Sequence, residues 1–302
     1  MRKNNFLVGI AVFLFCVLLI YVGITFYMEW NKSDDSDEET TVLIESDSGT
    51  ESEPQETEPP IVFDYVTDVD EEILMTGKDK KYLLLVNKQH PLGADYEPDD
   101  MTFFSKEHSY FTKDEELESR TAQAILMLMD EMHACGITDV LVTSAYRSYE
   151  RQTELFNKYV QAEMISEHGF SREAFACLGY TYIQENYVDK GRTQLSYEDA
   201  RRVALSYSAE QGTSEHQTGL CVDFITEDMH GKLTNIFETK AAFAWLSENA
   251  HKFGFILRFP EGKEPITGYT YEPWHYRFVG REAATEIYED NLTLEEYLGA
   301  VE

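Results

Sequence analysis

The stretch Ser214-Glu-His-Gln-Thr-Gly-Leu-Cys-Val-Asp223 places an imidazole, His216, and a carboxylate, Asp223, close together in the chain, with Gly219 between them to let the backbone turn. Such a pair suits a metal better than a nucleophile, although a His and an Asp at this spacing also occur as ordinary surface residues. The segment Glu272-Pro-Trp-His275 supplies a further imidazole, and Pro273 and Trp274 stiffen and dry its surroundings. Together His216, Asp223 and His275 form a borderline-soft donor set that suits Zn²⁺. Only these protein donors are evident, so a coordination position stays open to water, as in catalytic rather than structural zinc sites. Glu272 is then free to act as general base toward water whose pKa the zinc lowers to about 7. The zinc also polarises the attacked carbonyl and steadies the oxyanion. The plainer alternative pairs Glu272 with Arg277 and gives His275 a core hydrogen bond.

Ser144-Ala-Tyr-Arg-Ser148 follows an expected strand and puts Arg147 on a loop, where functional side chains concentrate. Its guanidinium fork matches a carboxylate through two parallel hydrogen bonds, the grip that a free peptide C-terminus requires. A solvated surface charge is the alternative. A serine hydrolase built on Ser214 and His216 lacks the G-x-S-x-G elbow. A cysteine peptidase using Cys221 would place its thiolate inside a strand, a poor setting for an exposed nucleophile.

Several elements must position these groups. Tyr82–Val86 reads as a buried strand. Thr112 and Glu115 form a capping box for a helix with an apolar stripe of Ala122, Ile125, Leu126, Met129 and Met132, ended by Gly136. Asp139–Ser144 is strongly β-forming and reads as an inner strand. Ser148 caps a helix carrying Leu155, Phe156, Tyr159 and Val160. From Met164 to Leu195 the periodicity weakens, which reads as an insertion of short helices. Ser196 and Asp199 start another helix, running towards Ala209. Leu220–Ile225, Phe255–Arg258 and the second half of Tyr271–Gly280 read as strands. A helix runs from about Thr239 to Gly254, and short helices start at Arg281 and Thr293. Without regular βαβ alternation, this pattern indicates an α+β domain with a mostly antiparallel sheet and flanking helices.

The N-terminal portion has a different character. Arg2 and Lys3 precede an apolar run from Phe6 to Met28, long enough to cross a bilayer core of about 30 Å. A cleaved signal peptide would have a shorter apolar region and an A-x-A-like site, and bulky Phe15 before Cys16 disfavours lipid attachment. Positive charge before the run and Glu29 after it favour an inside N-terminus and an outside body. Residues 31–60 carry eleven acidic side chains and one basic one, with many Ser, Thr and Pro, and read as a disordered tether. The expected organisation is therefore 1–30 cytoplasmic tip and transmembrane anchor, 31–60 acidic linker, and 61–302 extracellular domain. Residues from 61 onward carry −22 of a net −31, which excludes nucleic acid as a natural partner. Beyond Cys16, the cysteines Cys135, Cys177 and Cys221 are odd in number and too few for a disulfide-built scaffold.

The segments Leu84-Leu-Val-Asn-Lys-Gln-His-Pro-Leu92, Ser144-Ala-Tyr-Arg-Ser148, Ser214 through Asp223 and Ile266-Thr-Gly-Tyr-Thr-Tyr-Glu-Pro-Trp-His-Tyr-Arg-Phe-Val-Gly280, in this order, resemble the VanY-like zinc D-alanyl-D-alanine carboxypeptidases. The resemblance covers roughly Lys81 to Tyr288. It implies the α+β fold shared by those peptidases and the hedgehog signalling domain. It also implies one zinc held by His216, Asp223 and His275, with Glu272 as base. Arg147, helped by Gln152 and Ser214, would bind the terminal carboxylate of a peptidoglycan stem peptide at the bacterial cell surface. Release of the last D-alanine from a pentapeptide and L,D-cleavage of a tetrapeptide are both compatible with this clamp. A cell-wall binding or signalling module with a merely structural zinc is the non-catalytic alternative, against which Glu272 and Arg147 both argue. The chain departs from the family pattern in the 164–195 insertion and at Cys221, where the family usually has a small apolar residue such as alanine. Strand alternation places Cys221 on the same side as Asp223, so it is either a small buried hydrophobe or a competitor for the metal.

Overall fold

Cys-Val-Asp-Phe-Ile-Thr, residues 221–226, is apolar at four of six positions, on both sides of the pleat, and a strand of that composition is covered on both faces. It forms β4 (Cys221–Thr226), buried throughout, at the centre of the fold. The computed structural model describes residues 63–165, 191 and 195–301. The expected anchor at 6–28, the acidic tether at 31–60 and nearly all of the 164–195 insertion lie outside the described residues. Among the described residues no helix is long and apolar enough to cross a membrane.

The strands are β1 (Met101–Phe104), β2 (Glu115–Glu118), β3 (Val140–Ser144), β4, β5 (Phe255–Leu257) and β6 (His275–Phe278). The helices are α1 (Glu71–Leu74), α2 (Ser119–Ala134), α3 (Tyr149–Ile165), α4 (Tyr197–Ala204), α5 (Ala241–Asn249), α6 (Glu264–Thr267), α7 (Arg281–Glu289) and α8 (Leu294–Tyr297). β1 and β2 form a small antiparallel pair, and the main sheet has the order β3-β4-β6-β5 with antiparallel pairing throughout. The expected mixed α+β architecture with antiparallel strands and flanking helices is what forms.

The apolar stripe of α2 drives the packing. Ala122, Ile125, Met129 and Met132 are buried with Val140, Val142, Val222, Phe224, Tyr276 and Phe278 of the sheet in one core. A smaller cluster joins Phe156, Val160 and Met164 of α3 to Ala200 and Ala204 of α4. Ile256 and Val279 meet Ala283, Ala284 and Ile287 of α7 and Leu294 of α8 in another. Each large aliphatic or aromatic side chain so buried contributes about 1.5–3 kcal/mol.

Three sequence expectations are corrected. Tyr82–Val86 is buried at both ends but forms no strand. The carbonyls of Tyr82 and Leu84 accept from the Arg277 guanidinium at 3.0 and 2.8 Å, so no neighbouring strand engages them. Thr112 and Glu115 do not cap α2. Residues 115–118 instead pair with 101–104, and the helix starts at Ser119, where the Glu118 carboxylate accepts from Thr121 N at 3.0 Å. β3 is an edge strand of its sheet, its outer side protected by the bridge of Phe111 to Val142 rather than by a further strand.

The remaining elements agree with expectation to within a few residues. Ser148 Oγ accepts from Arg151 N at the start of α3, Ser196 caps α4, and Thr293 with Glu296 forms a capping box for α8. Helix α4 stops at Ala204, short of Ala209.

Pairing register turns this scaffold into a site. Ser144 of β3, Asp223 of β4 and His275 of β6 are Cα partners across neighbouring strands. His216 arrives on a short 3-10 helix, Glu215–Thr218, that ends in Gly219 at φ 69°. That left-handed residue swings the chain into β4 and brings His216 over Asp223. A Cβ at Gly219 would stand 3.1 Å from Glu118 N and 3.2 Å from Met101. Gly219→Ala is therefore expected to cost about 1–3 kcal/mol in urea unfolding, from left-handed strain and crowding together.

Candidate metal centre and substrate cleft

His216, Asp223 and His275 are each about 3% exposed and meet as the sequence predicts. His216 Nε2 lies 3.2 Å from Asp223 Oδ2, and His275 Nδ1 lies 2.9 Å from Asp223 Oδ1. One carboxylate therefore faces both rings, each through a different oxygen.

The opposite edge of each ring is pinned. His216 Nδ1 donates to the carbonyl of Ala145, whose own N–H donates to Glu115 Oε2 at 3.1 Å. In the neutral ring this leaves the lone pair on His216 Nε2, the nitrogen that faces Asp223. His275 Nε2 lies 3.4 Å from Glu215 Oε2 and so presents Nδ1 to the same point. Fixing one ring nitrogen to define the other as a donor is how metal-binding histidines are oriented. Two ring nitrogens and a carboxylate converge on one point, each with an atom able to bind a cation. The donor set thus fits a divalent cation, and the borderline-soft combination fits zinc.

Electrostatics point the same way. Burial and Arg147 oppose charging of His216, yet Cys221 and Asp223 raise it to about 9. Burial likewise opposes His275, but Cys221 and Asp223 hold it well above its ordinary value. Burial acts to raise Asp223, and the two imidazoles override it and hold the carboxyl far below the usual range.

Behind His275 sits a buried charge network that the sequence reading missed. Glu215 Oε1 accepts from Arg258 Nε at 2.8 Å and from Arg277 Nη1 at 2.7 Å. Arg258 also makes a two-pronged pair with Glu295 at 2.7 and 2.8 Å. Asn87 Nδ2 donates to the same Glu295, while Asn87 Oδ1 accepts from Gln89 N and His90 N. The Asn87-Lys-Gln-His90 segment thus braces the network. Burial acts to raise Glu215, but Arg258 and Arg277 override it and keep the carboxylate ionised well below its ordinary range. Arg277 is committed to Glu215, so the alternative pairing with Glu272 does not occur.

Glu272 is partly exposed at the cleft, with Oε2 3.9 Å from His275 Nδ1. Burial lifts its carboxyl to about 7, against the opposing pull of His275. The cleft, of about 1150 Å³, is lined by Arg147, Gln152, Ser214, His216, Asp223 and Glu272 among others. Arg147 Nε is buried without a hydrogen-bond partner, and no described carboxylate pairs with that guanidinium. Its backbone N–H donates to His216 O at 3.1 Å, which ties the arginine loop to the histidine turn. Gln152 Nε2 donates to Ala209 O at 2.7 Å, so its unpartnered Oε1 is an acceptor, suited to a substrate N–H rather than a carboxylate. Cys221 is fully buried in the same strand as Asp223.

The family model for the D-alanyl-D-alanine carboxypeptidase VanY matches residues 114–281. The chain belongs to that family. A D-alanyl-D-alanine carboxypeptidase of Enterococcus faecalis is 35% identical over 216 residues, covering 72% of this chain and 65% of the relative. The structure of the LdcB LD-carboxypeptidase superposes with a TM-score of 0.54 at 32% identity, covering 74% of this chain and 88% of that one. A VanY D,D-pentapeptidase from a VanB-type vancomycin-resistance cassette, solved in complex with Zn(II), gives a TM-score of 0.51 at 34% identity, covering 72% and 99%.

The network predicts a specific loss. Glu215→Gln is expected to destabilise the fold by about 3–5 kcal/mol by leaving buried guanidinium charge uncompensated. It is also expected to weaken zinc binding about 10–100-fold by loosening His275. Chemical unfolding and chelator competition measure the two effects separately.

Proposed function

We propose that this protein is a zinc D,D-carboxypeptidase that removes the terminal D-alanine from peptidoglycan stem peptides, anchored in the cell membrane of a bacterium by the 6–28 segment with its catalytic domain outside. The observation that carries the reading is Arg147, which has no counter-ion among the described residues, in the cleft that Glu272 and the His216–Asp223–His275 donors also line. A substrate ending in a free carboxylate supplies the missing anion and brings its last peptide bond toward those donors.

His216 Nε2, Asp223 and His275 Nδ1 would hold the zinc. Zinc bound there supplies Lewis acidity, polarising the scissile carbonyl and acidifying the attacking water. Arg147 fixes the substrate C-terminus through its planar fork. Gln152 Oε1 and the Ser214 hydroxyl offer the peptide further polar contacts in the cleft. Glu272 receives the proton of the attacking water and delivers it to the departing amine nitrogen of D-alanine. Its carboxyl near 7 allows both halves of that exchange close to neutral pH. The similarity to VanY carboxypeptidases, including one solved with Zn(II), supports this reading. L,D-cleavage of tetrapeptide stems is a second reading, supported by the comparable similarity to the LD-carboxypeptidase LdcB.

The full chain incubated with pentapeptide and tetrapeptide stems is expected to release D-alanine, faster from the pentapeptide, and to stop on addition of a chelator. Faster release from the tetrapeptide selects the L,D reading, and release from neither stem with zinc present refutes both. Glu272→Gln is expected to retain zinc and lower kcat by about 10²–10⁴-fold. Because Glu272 works as a base, kcat/KM falls as pH drops through its pKa, at or below about 7 once a neighbouring cation favours the carboxylate. Arg147→Met is expected to raise KM strongly for the free acid while leaving zinc content unchanged.

A further inference from the structure

Cys221 occupies the strand position two residues before Asp223, and alternation turns both side chains to the same face of β4. One donor atom from each of His216, Cys221 and His275 lies within 4.8 Å of the other two. Cys221 is fully buried and does not line the cleft, whereas His216, Asp223 and His275 do. The sulfur therefore sits beside the imidazole pair but is shut off from the cleft that substrate and water can reach.

We propose that Cys221 is a further protein donor to the same zinc ion, binding from the core side and leaving the cleft side for water and substrate. The inference rests on the reading that His216 and His275 hold a zinc ion. Zinc–sulfur and zinc–nitrogen bonds of about 2.3 and 2.0–2.1 Å put tetrahedral donors roughly 3.3–3.6 Å apart, so the three groups would draw in by about an ångström. Zinc in catalytic sites also accepts five ligands, so an added donor from below is compatible with an open position above. On binding, the thiol gives up its proton to solvent and the sulfur lone pair forms the new bond. The added thiolate neutralises more of the ion's charge than two imidazoles and one carboxylate do. It also biases the site toward thiophilic cations such as zinc and cobalt and away from manganese and magnesium.

Cobalt substitution of the full chain reads this donor directly, without reference to turnover. The Co²⁺ protein is expected to show a near-ultraviolet thiolate-to-cobalt charge-transfer band beside the visible d–d bands. Cys221→Ala, a change to the small residue that the strand interior tolerates, is expected to lose the charge-transfer band while keeping the d–d bands. The same variant is expected to bind zinc about tenfold or more weakly in chelator competition. X-ray absorption of the zinc protein is expected to show one sulfur at about 2.3 Å. Visible d–d bands without a thiolate band in the unaltered chain would overturn this proposal and leave the carboxypeptidase reading intact. A thiolate band that survives in Cys221→Ala would overturn it as well, since another cysteine would then be the source. Failure of the unaltered chain to bind zinc or cobalt would remove both readings together.

Discussion

The carboxylate of Glu215 lies between two buried guanidiniums, Arg258 and Arg277, and still offers an oxygen to His275. The placement of His275, and with it the convergence of both imidazoles on Asp223, depends on that arrangement. Two arginines and one glutamate leave an excess of positive charge, which Glu295 balances through its two-pronged pair with Arg258. Burying such charges costs several kcal/mol each, so the network does not serve stability alone. It fixes where His275 sits and which of its nitrogens faces Asp223. It also takes up the carbonyls of Tyr82 and Leu84, joining the N-terminal part of the domain to the central strands.

A shorter chain of contacts does the same for His216. Glu115 holds the N–H of Ala145, and the carbonyl of Ala145 accepts from His216 Nδ1. The loop that presents Arg147 is therefore the loop that orients a metal-binding imidazole. Arg147 and His216 are tied together because they share this backbone segment. If Arg147 grips a substrate carboxylate as proposed, that tie is what would set its distance from the metal site.

The candidate site residues that the fold brings together were legible because their types are distinctive and their motifs are local: His216 and Asp223 flank a turn glycine, and Glu272 and His275 share one short segment. What orients them was not. Glu215 stands beside His216 in the motif, yet its partners Arg258 and Arg277 lie 43 and 62 residues further on, so no local pattern could announce the network. Tyr82–Val86 has the apolar character of a strand, and that character records burial without recording what its carbonyls bond to. Thr112 with Glu115 matches a helix cap, but pairing with 101–104 outcompeted that local preference and passed the cap to Glu118. β3 read as an inner strand because a loop through Phe111, rather than a strand, shields its outer edge.

Anomalous diffraction at the zinc absorption edge, on crystals grown with zinc, tests the central claim most directly. The account predicts one strong peak bonded to His216 Nε2, Asp223 and His275 Nδ1, with His275 Nε2 still facing Glu215. A peak bonded instead through His275 Nε2, with the Glu215 contact broken, or located away from these side chains, would contradict it.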